Sequence, residues 1–121
     1  MPKLLIVDDE VDVREFSANF FRKRGVDVAV ASGGAEALEM IPRERPDLCL
    51  LDIRMQGMTG MEVLRELRTR NDATRVVMVS GIEDEGVVSE AQSLGVVSFI
   101  HKPLVLDELE KKVMKELGLS S

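Results

Sequence analysis

The chain is poor in aromatic side chains and in cysteine. It contains no Trp or Tyr, four Phe and a single Cys among 121 residues. Aromatic platforms for stacking bases are therefore missing, and a net charge of −6 argues against a surface that binds a phosphate backbone. We expect no direct nucleic acid partner. One cysteine forms no disulfide framework, which is typical of a reducing cytoplasm, and Cys49 lies in an apolar run that predicts a buried thiol.

Long apolar runs are also missing. No stretch approaches the roughly 20 apolar residues that a membrane helix needs, and the apolar run 4–7 is too short for a signal peptide core. With 45% hydrophobic and 31% charged residues, the composition is that of a globular protein with one core. We therefore expect a single cytoplasmic domain over residues 1–121, without a membrane partner.

Short apolar runs alternate with segments of helical periodicity. Strands are predicted at 4–7, 26–31, 48–51, 76–79 and 96–100. Helices are predicted at 11–25, 35–41, 61–67, 83–94 and 106–117. Pro42 should end or kink the second helix, because proline lacks the backbone donor. Strict alternation of strands and helices predicts an α/β fold with right-handed crossovers and a parallel sheet between two helical layers.

Polar residues follow the ends of four predicted strands. They are Asp8 and Asp9, Asp52, Ser80 and Lys102. Because the carboxyl ends of parallel strands share one edge, these side chains should meet in one crevice. Two carboxylates about 5 Å apart repel by roughly 3 kcal/mol at an effective dielectric constant near 20, so a bound divalent cation is expected. The oxygen ligands favour Mg²⁺, with Mn²⁺ as an alternative, and a carboxylate can also attack phosphorus to form an acyl phosphate.

Each of these positions alone also has an ordinary structural explanation. Asp52 could cap a helix or begin a turn, and Ser80 could do the same. Lys102 could be a solvated lysine at a strand end, and Phe99 could belong to the core. His101 is expected to be a semi-exposed strand residue rather than a phosphate carrier or metal ligand.

Taken together, the motifs resemble the receiver domain of two-component response regulators over essentially the whole chain. The match comprises the Asp-Asp pair, Asp52, Ser80 with the following glycine, Phe99, and Lys102 with the following proline. The resemblance implies a flavodoxin-like, doubly wound sheet with strand order 2-1-3-4-5. It also implies that Asp52 is phosphorylated.

The same resemblance implies a metal site. Asp9 matches the direct metal ligand, and Asp8 matches the residue that assists through water. Asp52 and the backbone carbonyl of Arg54 would complete the protein's share of the coordination. Gln56 stands where family members usually have proline, so the loop after Asp52 is expected to be less rigid here.

Further roles are implied for residues around the phosphoacceptor. Lys102 resembles the residue that pairs with a phosphoryl oxygen, and Ser80 resembles the hydroxyl that moves to hydrogen-bond it. Phe99 falls where the family has an aromatic residue that changes rotamer with Ser80. The side chains of Arg54 and Ile82 are expected to tune the lifetime of the aspartyl phosphate.

The function implied is transfer of a phosphoryl group from a sensor histidine kinase or histidine phosphotransfer protein to Asp52, followed by slow autodephosphorylation. The fourth helix, fifth strand and fifth helix would then change their affinity for a downstream effector, and phosphorylation could promote dimerisation. Such a domain is not a turnover enzyme.

Two alternatives stay open: a degenerate receiver that acts only as an interaction module, and a small Mg²⁺-dependent phosphatase with an aspartate nucleophile. Such phosphatases generally need a second acid where Arg54 stands.

Overall fold

The computed structural model describes residues 1–81 and 84–119, and within these ranges five strands alternate with five helices. The strands are β1 (Lys3–Val7), β2 (Asp27–Ala31), β3 (Leu48–Asp52), β4 (Val76–Ser80) and β5 (Ser98–His101). The helices are α1 (Val11–Arg22), α2 (Gly34–Glu44), α3 (Gly60–Thr69), α4 (Glu85–Ser93) and α5 (Leu106–Glu116). The predicted alternation is confirmed.

All strand pairs are parallel, and the strand order is β2-β1-β3-β4-β5. The flavodoxin-like architecture and the predicted order are therefore confirmed. The register pairs Val7 with Leu51, so Asp8 and Asp52 each follow a paired residue at the same edge of the sheet. Ser80 lies opposite His101 in the β4–β5 pair.

Two apolar clusters cover the two faces of the sheet. One joins alternate strand residues to α2, α3 and α4, and the other joins the remaining strand residues to α1 and α5. Every residue of β3 and β4 is buried, as a continuous apolar run predicts for central parallel strands. Cys49 is fully buried, as predicted, and burial raises the pKa of its thiol to about 12.

The end of α2 and the start of β5 differ from the periodicity. Helix α2 continues through Pro42 to Glu44, because a proline in the last turn removes only one intrahelical hydrogen bond. Strand β5 begins at Ser98 instead of Val96, whose N–H donates to the carbonyl of Ala91 at the end of α4. The predicted start of the fourth helix at Glu83 lies outside the described residues. In the described ranges, no helix is both long enough and apolar enough to cross a membrane.

Candidate functional site

Three carboxylates converge at the carboxyl edge of the sheet. Oxygen atoms of Asp8, Asp9 and Asp52 all lie within 4.8 Å of one another. Adjacent β1 and β3 deliver them, because Asp8 follows the last residue of β1 and Asp52 is the last residue of β3. Asp52 is 2% exposed and Asp8 is 7% exposed, whereas Asp9 is exposed. The site is therefore an acidic pocket with two buried carboxylates and one exposed carboxylate.

Lys102 supplies a positive charge at this pocket. It follows β5, and its backbone N–H donates to the carbonyl of Ser80 at 2.8 Å, which continues the pairing with β4 beyond the last strand residue. The side chain reaches across β4 to β3, where Nζ lies 3.2 Å from Oδ2 of Asp52. One lysine therefore faces a cluster of three acids.

Burial and neighbouring charges together shift the pKa values of the groups in the pocket. Burial raises the pKa of Asp52 from 3.8 to about 6; Lys102 opposes the rise, and the charge of Asp8 adds to it. Burial also raises the pKa of Asp8, against the N–H of Glu10 and the charge of Lys102. Burial alone would lower the pKa of Lys102, but Asp52 raises it above the ordinary value. The two carboxylates are therefore shifted mainly because burial disfavours their charged forms, while the charge of Lys102 partly offsets that penalty.

The acidic cluster fits a hard divalent cation. Backbone N–H groups orient its carboxylates: Glu10 donates to Oδ1 of Asp8 at 2.9 Å, Arg54 to Oδ1 of Asp52 at 3.2 Å, and Gln56 to Oδ2 of Asp9 at 2.8 Å. Ionised carboxylates retain further lone pairs after accepting one bond each. Three oxygen donors without a sulfur or imidazole ligand match the preference of Mg²⁺.

Ser80 and Phe99 lie beside the pocket on β4 and β5. Ser80 is 1% exposed, and its Oγ lies 3.1 Å from Nδ1 of His101. The Phe99 side chain is half-buried against the cluster under α2, α3 and α4, and the Phe99 carbonyl accepts a hydrogen bond from Nζ of Lys112. His101 is exposed at the end of β5, as expected. Its contact with Ser80 was not anticipated, because only the strand register reveals it.

The Arg54 side chain forms a contact that sequence reasoning missed. Its Nε donates to Oδ1 of Asp84 at 2.8 Å, and this aspartate side chain is only 4% exposed. The other oxygen, Oδ2, accepts the N–H of Gly81 at 2.8 Å. The loops after β3 and β4 are thus joined by one buried carboxylate, for which the sequence offers no distinctive signal. Ile82, the other residue expected to tune the phosphate lifetime, lies outside the described residues.

The loop between Asp52 and α3 depends on one glycine. A Cβ atom at Gly60 would lie 2.3 Å from the carbonyl oxygen of Asp52 and 2.9 Å from Cα of Ile53. The N–H of Gly60 also donates to the carbonyl of Ile53 at 2.9 Å. Thr59 then begins α3 with a capping box that includes Glu62. This close approach holds the start of α3 directly behind the buried aspartate.

Comparison with known proteins identifies the family. A sequence model of the response regulator receiver domain matches residues 4–114. Sporulation initiation phosphotransferase F of Bacillus subtilis (strain 168) is 34% identical over 119 residues, which are 98% of this chain and 96% of that protein. Chemotaxis protein CheY of Listeria monocytogenes is 36% identical over 116 residues, covering 92% of this chain and 98% of its own length.

A solved structure agrees with these sequence relationships. The receiver domain of the Francisella response regulator 1452 superposes with a TM-score of 0.89 at 30% identity, and the match covers 98% of both chains. Receiver domains are signalling modules rather than turnover enzymes. The matched range contains all the residues of the acidic pocket, from Asp8 after β1 to Lys102 after β5. This chain therefore belongs to the response regulator receiver domain family of two-component signalling proteins.

Proposed function

We propose that Asp52 accepts a phosphoryl group from the phosphohistidine of a sensor histidine kinase or a histidine phosphotransfer protein. The observation that carries this proposal is the buried carboxylate of Asp52, with two further carboxylates beside it and Lys102 Nζ 3.2 Å from its Oδ2. With a pKa of about 6, Asp52 is largely ionised at pH 7 and can act as a nucleophile. A carboxylate oxygen attacks phosphorus, the P–N bond breaks, and its electron pair returns to the donor imidazole.

The acidic cluster supports a role for Mg²⁺, or Mn²⁺, in this transfer. Receiver domains typically bind Mg²⁺ through acidic residues. Here Asp8, Asp9, Asp52 and the carbonyl of Arg54 would hold the ion. When bound, it would offset negative charge on the phosphoryl oxygens. The raised pKa of both Asp8 and Asp52 supports this assignment, because burial disfavours their charged forms and a bound cation would stabilise them.

Lys102 and Ser80 have separate parts in the proposed reaction. The ammonium group of Lys102 moves from the Asp52 carboxylate to pair with one phosphoryl oxygen. The hydroxyl of Ser80 donates a hydrogen bond to a second phosphoryl oxygen. Ser80 is the last residue of β4, which leads into α4, and Lys102 directly follows β5, which leads into α5. Their movement shifts the population of conformations at the surface of α4, β5 and α5, with Phe99 changing rotamer alongside Ser80. The output is altered affinity for a downstream effector or for a second copy of the chain.

An apolar groove beside the acidic pocket supports docking of the phosphoryl donor protein. Phe16 of α1 is 57% exposed and Leu106 of α5 is 43% exposed, and both line one groove of about 340 Å³ with Leu104. Helix α1 begins two residues after Asp9, and Leu104 lies two residues after Lys102. A protein docked on this α1–α5 groove would therefore present its phosphohistidine at the edge where Asp52 lies.

The proposed acyl phosphate hydrolyses slowly by attack of water, which resets the domain without making it a turnover enzyme. Arg54 occupies the second position after Asp52, where its guanidinium pairs with buried Asp84. Its side chain is 58% exposed, so Arg54 borders the path of water to the phosphoryl group and tunes its lifetime. No acid stands at this position, which disfavours a phosphatase that hydrolyses added substrates.

Labelling with a small phosphoryl donor tests the proposal. Wild-type protein incubated with radiolabelled acetyl phosphate and Mg²⁺ should acquire label, and Asp52→Asn should abolish it. Glu39→Gln, which removes a carboxylate from an exposed position on α2, is the matched control and should leave labelling intact. Undiminished labelling of Asp52→Asn would overturn the assignment. An unlabelled wild type without Mg²⁺ affinity would indicate a degenerate receiver, and steady phosphate release from phosphomonoesters would indicate a phosphatase.

A further inference from the structure

We infer that His101 is a positioning residue that holds the hydroxyl proton of Ser80 in the unphosphorylated protein and thereby weakens binding of a phosphoryl group at Asp52. The inference rests on the proposed function and adds a residue to it. It predicts that the Ser80–His101 hydrogen bond and a hydrogen bond from Ser80 to a phosphoryl oxygen exclude each other.

The strand register creates the contact. Ser80 and His101 are directly opposite residues at the carboxyl ends of β4 and β5, and Ser80 Oγ lies 3.1 Å from His101 Nδ1. Among residues 1–81 and 84–119, this imidazole is the only hydrogen-bond partner of the Ser80 hydroxyl. Ser80 is 1% exposed, whereas His101 is exposed. The serine hydroxyl therefore depends on the histidine, while water can serve the other imidazole nitrogen.

The number of protons on the hydroxyl decides the direction of the bond. A serine hydroxyl carries one proton and two lone pairs, and a neutral imidazole has one nitrogen that accepts and one that donates. A buried donor without an acceptor costs free energy, so Ser80 should donate its proton to Nδ1. Phosphoryl oxygens only accept hydrogen bonds. Ser80 must therefore release His101 before it can donate to a phosphoryl oxygen.

Space beside the pair permits this exchange. A cavity of about 260 Å³ is bordered by Ser80 and His101 and, on α4, by Glu85 and Val88. The imidazole can leave Ser80 by moving within this space, without displacement of the buried strand residues. Its movement would change the contacts of α4, which is part of the surface proposed to bind the downstream effector.

Affinity for a phosphoryl analogue measures the competition. Beryllofluoride with Mg²⁺ is the probe, and calorimetry is the method because the chain has no Trp to report binding by fluorescence. One neutral hydrogen bond corresponds to a change of about two- to tenfold in an equilibrium constant. We expect His101→Ala to bind the analogue about two- to tenfold more tightly than wild type. His101→Asn keeps an acceptor near the position of Nδ1 and should restore affinity close to wild type.

A second background separates positioning from a general structural effect. In Ser80→Ala protein there is no hydroxyl to compete for, so His101→Ala should leave beryllofluoride affinity unchanged. Unchanged or weaker binding by His101→Ala in the presence of Ser80 would overturn the inference, as would an equal gain in the Ser80→Ala background. Wild type that fails to bind the analogue would instead overturn the proposed function, together with everything that rests on it.

Nitrogen NMR tests the direction of the bond independently of binding. The chain contains one histidine, so its imidazole signals need no further assignment. We expect an unprotonated Nδ1 in the free protein, with a chemical shift that changes in Ser80→Ala. A protonated Nδ1 that donates to Ser80 in the free protein would overturn the inference, because the serine proton would then already be available.

Discussion

Replacing Asp52 with Asn should stabilise the folded protein while it removes the proposed phosphoacceptor. Asn is nearly the same shape as a protonated aspartic acid and carries no charge. In the native protein the carboxylate of Asp52 is 2% exposed and lies within 4.8 Å of two other carboxylates. Ionisation of Asp52 at neutral pH therefore costs folding free energy, and the Asn variant avoids this cost.

The size and pH dependence of this effect follow from the pKa. Burial raises the pKa of Asp52 from 3.8 to about 6, and one pKa unit corresponds to about 1.4 kcal/mol, so the full penalty is about 3 kcal/mol. Because the folded pKa lies above the unfolded value, the stability associated with the protonated group is present below pH 3.8. It is lost as pH rises towards the folded pKa of about 6. The advantage of Asp52→Asn should therefore be small at pH 4 and complete by pH 7.

Urea unfolding in the presence of a chelator measures the difference. With a slope of about 1–3 kcal/mol per molar urea, a gain of about 3 kcal/mol moves the midpoint by roughly 1–3 M at pH 7. Glu39→Gln, the exposed charge-removing control, should shift the midpoint little at either pH. Added Mg²⁺ should stabilise wild type and narrow its gap to the Asn variant. If Asp52→Asn is no more stable than wild type at pH 7, or equally stabilised at pH 4 and pH 7, ionised Asp52 does not destabilise the folded protein.

Three further substitutions and one control test the loop after Asp52, the charge of Lys102 and the α1–α5 groove. Gly60→Ala should cost about 1–3 kcal/mol or more and reduce acetyl phosphate labelling, because its Cβ meets the backbone carbonyl of Asp52 at 2.3 Å. Gly86→Ala on α4 meets no atom within 4 Å and should instead be neutral or stabilising in the same denaturation assay. Lys102→Gln removes the charge that lowers the pKa of Asp52, so the pH midpoint of residual labelling should move upward. Phe16→Ala should slow labelling by a phosphorylated donor protein but not by acetyl phosphate. An equal loss with both donors would contradict docking at the α1–α5 groove.

The order of the elements and the sheet edge at which the polar residues meet could be predicted from the amino-acid sequence. Apolar runs of strand length and helical periodicity depend on local side-chain burial, so they can be read without coordinates. Parallel connections then place all carboxyl ends of the strands together, which is why Asp52 and Lys102 could be assigned to one crevice. Local sequence patterns predicted the ends of elements less well. Pro42 lies in the last turn of α2 without ending it, and β5 begins two residues later than its apolar run.

Contacts between segments distant in the chain could not be predicted in this way, because they depend on how the elements pack. The Ser80–His101 hydrogen bond depends on strand register, and the Arg54–Asp84 pair depends on how two loops approach each other. The pKa of Asp52 likewise depends on burial and on the distance to Lys102, neither of which a linear pattern specifies. Periodicity reports which face of an element is buried. Hydrogen bonds and charge interactions require distances of a few ångströms, and these are set only when the sheet and its loops pack together.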